Sequence, residues 1–348
     1  MAAQVKGGIG IVAGIALAVL AVSSAHAADA PYFKGRTISL IYGGGESGGY
    51  VTYARLLAVH YGRHIPGNPR MIVKGAPGAG TLVAANYIYE LAPPDGTEIG
   101  TVGGGTATAE LFKTPNIRFD PRKFVWLGSL TSEVSVGLSW HTTAIKTIQD
   151  AFVRQMIVGG GGPTSGNVLF PVVLNRLLGA KFKIIPGYKS SAEVMLAVER
   201  GELDGVMSWN YSSIRAGHMD LVRDGKLNLL VQFALKKHKD LPDVPLVTDL
   251  ATNGDERSIL ELVFSRQEMG RPFMAPPATP PAVAKILHDA FDAVIADPAF
   301  LADAERQRLD INEPMSGAQV DELIAELYRT PKPVLDKALA ITDMSTFK

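Results

Sequence analysis

A glycine-rich segment at residues 43–49 carries two spacings that are typical of catalytic or cofactor sites. Ser47 is the centre of Gly-x-Ser-x-Gly, the pattern of a hydrolase nucleophile elbow, and Gly43 begins Gly-x-Gly-x-x-Gly, the pattern of a dinucleotide site. The dinucleotide pattern lacks its partner, since no Asp or Glu occurs between Glu46 and Glu90 to hold a ribose hydroxyl. Only one strand is predicted before Ser47, which is too few for the usual hydrolase sheet. A serine hydrolase that uses Ser47 is therefore kept only as the alternative hypothesis.

The same loops could instead bind an anion through the backbone. A glycine turn before a helix lets main-chain N–H groups approach a ligand, and a helix start favours negative charge by up to about 2 kcal/mol. Similar loops follow at residues 75–80, 103–105 and 159–166. The acid-free stretch from Ser47 to Tyr89 contains several basic side chains, which favours an anionic ligand over a cationic one.

The elements around these loops predict an α/β fold. Four short apolar runs, at 38–42, 71–73, 99–102 and 156–158, are each followed by a glycine loop and then by a helical run. The corresponding helical runs are 50–61, 82–89, a short one that ends near residue 112, and 168–178. Further strands are predicted at 124–130, 203–207 and 227–235, and helices at 193–200, 281–291 and 318–328. The prediction is therefore a first lobe of residues 28–125 plus 236–348 and a second lobe of residues 126–235.

Residues 1–27 have the pattern of a signal peptide, with Lys6, an apolar run at 7–21 and Ala25-His26-Ala27 before the cut. Export to the periplasm is expected, and the remaining length suits two lobes. The 34 basic and 34 acidic residues give no field that would recruit nucleic acid. The chain has no cysteine, no metal-ligand spacing of histidines and no nucleotide-binding lysine loop, so no cofactor or metal is expected.

The motifs in their order resemble those of the periplasmic receptors of tripartite tricarboxylate transporters, the Bug or TctC-like family. The resemblance is carried by Gly48 to Arg55, Pro77 to Gly80, Pro93 to Gly96, Gly162 to Gly166, Pro186 to Ser191, Gly201 to Gly205, Arg271 to Pro277 and Asp297 to Phe300. It implies a two-lobed Venus-flytrap fold, type II-like, with a ligand cleft between the lobes. It also implies a monomeric receptor, not an enzyme, that passes a di- or tricarboxylate or an aromatic acid to integral-membrane permease subunits. The chain departs from the family at Val51 and Lys74.

The resemblance places the ligand against both lobes. One carboxylate is expected on the amides of Gly48, Gly49 and Tyr50 and on those of Gly78, Ala79 and Gly80 in the loop that Pro77 begins, with a hydroxyl contact from Ser47. The second lobe is expected to close through Thr164, Ser165, Gly166, Tyr188, Ser190 and Ser191, while Lys189 pairs with a distal charge. Asp204 is expected either to accept a ligand hydroxyl or to cap its turn.

Overall fold

The computed structural model describes residues 1–3, 30–46, 48–162, 165–188 and 190–344. The strands, in chain order, are β1 (Thr37–Tyr42), β2 (Arg70–Gly75), β3 (Glu98–Thr101), β4 (Val125–Ser129), β5 (Ser135–Trp140), β6 (Met156–Gly159), β7 (Phe182–Ile185), β8 (Gly205–Asn210), β9 (Leu227–Phe233), β10 (Pro272–Ala275) and β11 (Met315–Ser316). The helices are α1 (Gly49–Tyr61), α2 (Leu82–Glu90), α3 (Asp150–Val153), α4 (Gly166–Leu178), α5 (Ser191–Glu199), α6 (Tyr211–Gly217), α7 (Met219–Arg223), α8 (Gly254–Phe264), α9 (Pro281–Ile295), α10 (Pro298–Arg306), α11 (Gly317–Leu327) and α12 (Lys332–Thr342). The predicted leader lies almost wholly outside these ranges.

The strands form two separate sheets, one in each lobe. The first sheet has the order β11-β4-β10-β3-β1-β2, with β2, β1 and β3 parallel and the other pairs antiparallel. The second has the order β7-β6-β8-β5-β9, with β7, β6 and β8 parallel and β5 antiparallel to both neighbours. This confirms the predicted two-lobed α/β architecture.

The parallel strands explain why the glycine loops face one gap. In each β-α-β unit the helix begins where its strand ends, and parallel strands present their carboxyl ends at one sheet edge. The unit β1-α1-β2 is stabilised by burial, since Ile38 and Leu40 of β1 and Leu57 of α1 have no solvent exposure. The edges that carry the starts of α1 and α4 therefore face each other across the gap between the lobes.

The two sheets divide the chain differently from the predicted ranges. The strand β4, which we predicted to begin the second lobe, pairs with β10 and β11 in the first sheet. The strand β9 does not carry the chain back, because the following segment bridges Gln232 to Leu246 and then forms α8 within the second lobe's core. The helix α12, which contributes Ala338 to the same core, also packs on the second lobe. The chain returns to the first lobe in the segment 265–271 and leaves it again after α11.

The described part of the chain has neither a membrane-spanning helix nor a metal-binding cluster. Within those ranges, no helix combines the length and apolar composition needed to cross a bilayer. The same residues contain no cluster of His, Cys, Asp or Glu side chains able to hold a metal ion.

Candidate ligand site between the lobes

A small polar cavity lies where the two lobes meet. Its volume is about 80 Å³, and its walls come from both lobes and from the returning segment 265–271. The lining residues are Tyr50 and Gly104 of the first lobe, Glu133, Ser135, Gly166, Phe170, Ser208 and Asn210 of the crossing and second lobe, and Arg266, Gln267, Met269, Gly270 and Arg271 of the returning segment. Ligand binding here would depend on the relative position of the two lobes.

Arg266 supplies a positive charge to this cavity. Within the described residues no carboxylate forms an ion pair with its guanidinium. The group lies beside the Phe170 ring, with 5.9 Å between Cζ and the ring centroid. Desolvation lowers the pKa of Arg266 from its ordinary value, but a guanidinium remains protonated in proteins. Arg266 is therefore a charged donor group that is available to an anion.

Arg271, the other arginine of the cavity, is already neutralised by Glu133. Its Nη2 lies 2.9 Å from Glu133 Oε2, and the two side chains are 2% and 4% exposed. Ser212 Oγ donates to the same carboxylate oxygen at 2.7 Å. Burial raises the pKa of Glu133, and the neighbouring Arg271 and Ser212 oppose that rise. Burial lowers the pKa of Arg271, but Glu133 beside it raises that pKa, and the net direction is upward. We treat the two as a charged pair, because the hydrogen bonds satisfy the ionised forms.

Aromatic and amide side chains hold this pair in place. The Arg271 guanidinium carbon lies 5.1 Å from the Tyr50 ring centroid and 4.9 Å from that of Tyr53. Gln267 donates from Nε2 to Ser135 Oγ at 2.9 Å and to the Phe233 carbonyl at 3.1 Å. The floor of the cavity is therefore a connected network that joins the first-lobe helix α1 to the second sheet.

Some of the predicted ligand residues lie at this cavity. Tyr50 and Gly166, which are at the starts of α1 and α4, line it directly. Gly49 is in contact with its wall, since a Cβ on Gly49 would lie 2.8 Å from Arg271 Nη2. Ala79 lines a second pocket of about 450 Å³ that also includes Gly162 of the second lobe.

The loop of Pro77 to Gly80 has an unusual backbone. Gly78 and Gly80 have φ of +139° and +63°, Ala79 has +46°, and the β-branched Thr81 has +82°. Such angles strain non-glycine residues and occur at functional sites when the surroundings impose them. Here Thr81 Oγ1 accepts a hydrogen bond from the Gly103 amide at 2.9 Å, which fixes the loop against β3.

Other predicted residues make local structural bonds and do not themselves line the cavity. Ser165 Oγ donates to the Gly162 carbonyl at 2.6 Å, and Ser190 Oγ accepts from the Glu193 amide at the start of α5. The Asp204 carboxylate accepts from the Ile157 amide at 2.7 Å, which ties β8 to β6. Gly48 directly precedes α1. Tyr188 packs against a hydrophobic cluster of the second lobe, and Ser191 Oγ lies 3.5 Å from the Ser208 carbonyl. Ser47, Thr164 and Lys189 lie outside the described residues.

His60, Arg63 and His64 of the acid-free stretch have carboxylate partners elsewhere, so these three residues do not supply the anion site. His60 and His64 contact Asp303 and Asp297 of the α10 region, each at 2.8 Å, and Arg63 also pairs with Asp297. These acids come from more than two hundred residues downstream. The expectation of an anionic ligand was therefore based partly on basic residues that instead pair with acids of the α10 region.

The charged residues of the cavity were missed by the sequence analysis. Arg266 and Arg271 lie in a segment of mixed polar and apolar residues and Glu133 lies far upstream, so no local spacing connects the three. The available signal was the pair of arginines in the short segment before β10, since an arginine is almost never buried without a partner.

Gly105 offers a way to move Arg266 without changing it. A Cβ on Gly105 would overlap the Arg266 guanidinium, which is the flexible end of a side chain. We expect Gly105→Ala to displace that group and to weaken anion binding by about tenfold, equivalent to about 1.4 kcal/mol. Titration calorimetry measures this. The matched control is Gly217→Ala, where the added Cβ meets no atom within 4 Å. Equal affinities for both variants would contradict the position of the guanidinium in the site.

Comparison with known proteins gives one family and several solved structures. The model of the tripartite tricarboxylate transporter family receptor matches residues 57–339. The fold is similar to that of MatC from Rhodopseudomonas palustris with bound malate, with TM-score 0.66, 18% identity, and 89% of this chain and 100% of that one covered. The fold is also similar to that of a second R. palustris protein, with adipate. The TM-score is 0.65 and the identity 17%, and the match covers 88% of this chain and 98% of that one.

A third similar structure is a TctC solute binding protein from Polaromonas without ligand, with TM-score 0.60 and 19% identity over 87% of this chain and 99% of that one. The comparison with curated proteins gave no match. At these identities the structural likeness establishes the fold, which is that of a two-lobed periplasmic binding protein.

Proposed function

The chain belongs to the tripartite tricarboxylate transporter receptor family, and from this premise we propose that it captures a small organic carboxylate between its lobes and delivers it to integral-membrane permease subunits. The observation that carries the proposal is Arg266, a guanidinium that faces the interlobe cavity and has no ion-pair partner among the described residues. An arginine presents two parallel N–H donors, which match the two oxygens of a carboxylate.

Main-chain groups complete the proposed site. Gly49, Tyr50, Gly78 and Gly80 offer amides from the first lobe, and Gly166 at the start of α4 offers one from the second. The amides of Gly48 and Ser165 donate to the Gly45 and Gly162 carbonyls instead. Closure of the lobes excludes water, which strengthens each of these hydrogen bonds. The hydroxyl contacts expected from Ser47, Thr164, Tyr188, Ser190 and Ser191 and the hydroxyl acceptor Asp204 belong to the same proposal.

Ligand binding should stabilise the protein in a measurable way. A carboxylate at a hundredfold excess over its dissociation constant adds about 2.7 kcal/mol, which raises the melting temperature by about 5–10 °C for a protein of this size. Thermal-shift screening against mono-, di- and tricarboxylates, with sugars and amines as controls, checks this. Stabilisation by the controls alone would contradict the proposal.

We propose that no covalent step accompanies binding, since the family is one of receptors. Purified protein is expected to show no turnover of ester substrates, and Ser47→Ala is expected to change carboxylate affinity by less than about tenfold, the effect of one neutral hydrogen bond. Ester hydrolysis that Ser47→Ala abolishes would support the hydrolase alternative instead.

The proposed location is the periplasm, with the leader cut after Ala27 and the mature chain acting as a monomer. Receptors of this family are periplasmic, and the sequence pattern of residues 1–27 supports export. The mass of the mature protein in a periplasmic extract tests the cleavage position, and light scattering tests the monomer. Loss of carboxylate uptake on deleting the permease genes tests delivery.

A further inference from the structure

The charges that line the interlobe cavity leave one net positive charge. Among the described residues of the lining, the ionisable groups other than Tyr50 are Arg266, Arg271 and Glu133. Arg271 and Glu133 are bonded to each other at 2.9 Å, so their charges cancel within the wall. The uncompensated charge is that of Arg266, and one ligand carboxylate would balance it.

We infer that the cavity is selective for monocarboxylates and that Glu133 disfavours a second carboxylate there. This inference rests on the proposed function and narrows its ligand class. A second anionic group would lie beside the Glu133 carboxylate, and the described residues of the lining provide no further cation to pair it. Unpaired or like charges that are removed from water are strongly unfavourable.

The hydrogen-bonding groups around Glu133 support this selectivity. Arg271 directs Nη2 to Glu133 and Nη1 to the Gly270 carbonyl at 2.8 Å, so its two terminal nitrogens already have acceptors. Its Nε is buried and has no hydrogen-bond partner among the residues that the structure describes. One N–H donor on a neutralised guanidinium suits a neutral oxygen, such as a hydroxyl or carbonyl, rather than a second carboxylate.

The rest of the wall is uncharged and partly aromatic. Ser208 and Asn210 lie on β8 at the second-lobe side, and within the described residues the Asn210 amide nitrogen and Ser208 Oγ donate no hydrogen bond. Phe170 and Tyr50 add ring surfaces. The ligand is therefore a small monocarboxylate whose other polar groups are neutral. The volume of about 80 Å³ also suits a small acid, since drug-sized ligands occupy about 300–1,000 Å³.

Matched ligand pairs test the inference on the wild-type protein. Titration calorimetry would compare butyrate and 4-hydroxybutyrate with succinate, and benzoate with terephthalate, at neutral pH. We expect each monocarboxylate to bind at least about tenfold more tightly than the dicarboxylate of the same skeleton. Equal affinity, or tighter binding of the dicarboxylates, would overturn the inference while leaving carboxylate capture intact. Absence of binding by any carboxylate would instead contradict the proposed function.

A second cation in the cavity should reverse the preference. Asn210→Lys adds a positive charge to the wall, and Asn210→Met gives a chain of similar bulk without charge. The ratio of dicarboxylate to monocarboxylate affinity is expected to be at least about tenfold higher in Asn210→Lys than in Asn210→Met. Melting curves establish that both variants fold. A folded Asn210→Lys protein with the same ratio as Asn210→Met would overturn the inference.

Discussion

Replacing Arg266 with glutamine is expected to weaken carboxylate binding by about hundredfold or more. The side chain offers two charge-assisted hydrogen bonds, each worth about 1.5–3 kcal/mol, whereas an amide offers weaker neutral ones. Because the described residues place no carboxylate against Arg266, its removal leaves no buried anion without a partner. The ligand-free variant should therefore melt at the same temperature as the wild type or higher, as expected where a binding residue is desolvated for function.

Titration calorimetry and melting curves together distinguish this from a structural role. Arg257→Gln is the matched control, because Arg257 is exposed on α8 and lies away from the cavity lining. Arg266→Lys should bind more weakly than the wild type but better than Arg266→Gln, since it keeps the charge and loses the planar fork. A large fall in the melting temperature of Arg266→Gln, with unchanged affinity, would contradict the assignment.

Replacing Glu133 with glutamine is expected to destabilise the protein by about 3–5 kcal/mol. The substitution keeps the side-chain shape but leaves the buried Arg271 guanidinium without its counter-charge, and breaking a buried ion pair has an effect of this size. At about 2–4 °C per kcal/mol, the melting temperature should fall by about 6–20 °C. Calorimetry or urea unfolding measures the change.

A matched acid and a double substitution control that experiment. Glu313 pairs with Lys236 at 3.7 Å and is 56% exposed, so Glu313→Gln should change stability by less than about 1 kcal/mol. Combining Glu133→Gln with Arg271→Met removes both charges and should recover much of the loss, because a buried pair is replaceable by apolar groups. If Glu133→Gln and Glu313→Gln melted alike, the buried pair would not hold the lobes as described.

The repeated strand, glycine loop and helix units were predictable because their signals are local. The helical spacing of 50–61 and the apolar run of 38–42 correspond to α1 and β1 within one residue at each end. The fold places the starts of α1 and α4 at one gap, and the cavity there includes Tyr50 and Gly166, as expected from the alignment of parallel strands.

Long-range pairing was not predictable from the same signals. The strand β4 is an apolar run that suits either sheet, and its partner β10 lies far along the chain. The helix α12 is amphipathic, but its sequence does not specify which lobe receives its apolar face. Glu133 and Arg271 also lie far apart in the chain, so no local spacing in the sequence indicates that they pair.

The most direct measurement is a crystal structure of the protein with a bound monocarboxylate from the calorimetric series. The account predicts the ligand between the lobes, with a carboxylate oxygen about 2.7–2.9 Å from an Arg266 guanidinium nitrogen. A carboxylate bound elsewhere, with the Arg266 side chain directed to solvent, would contradict it.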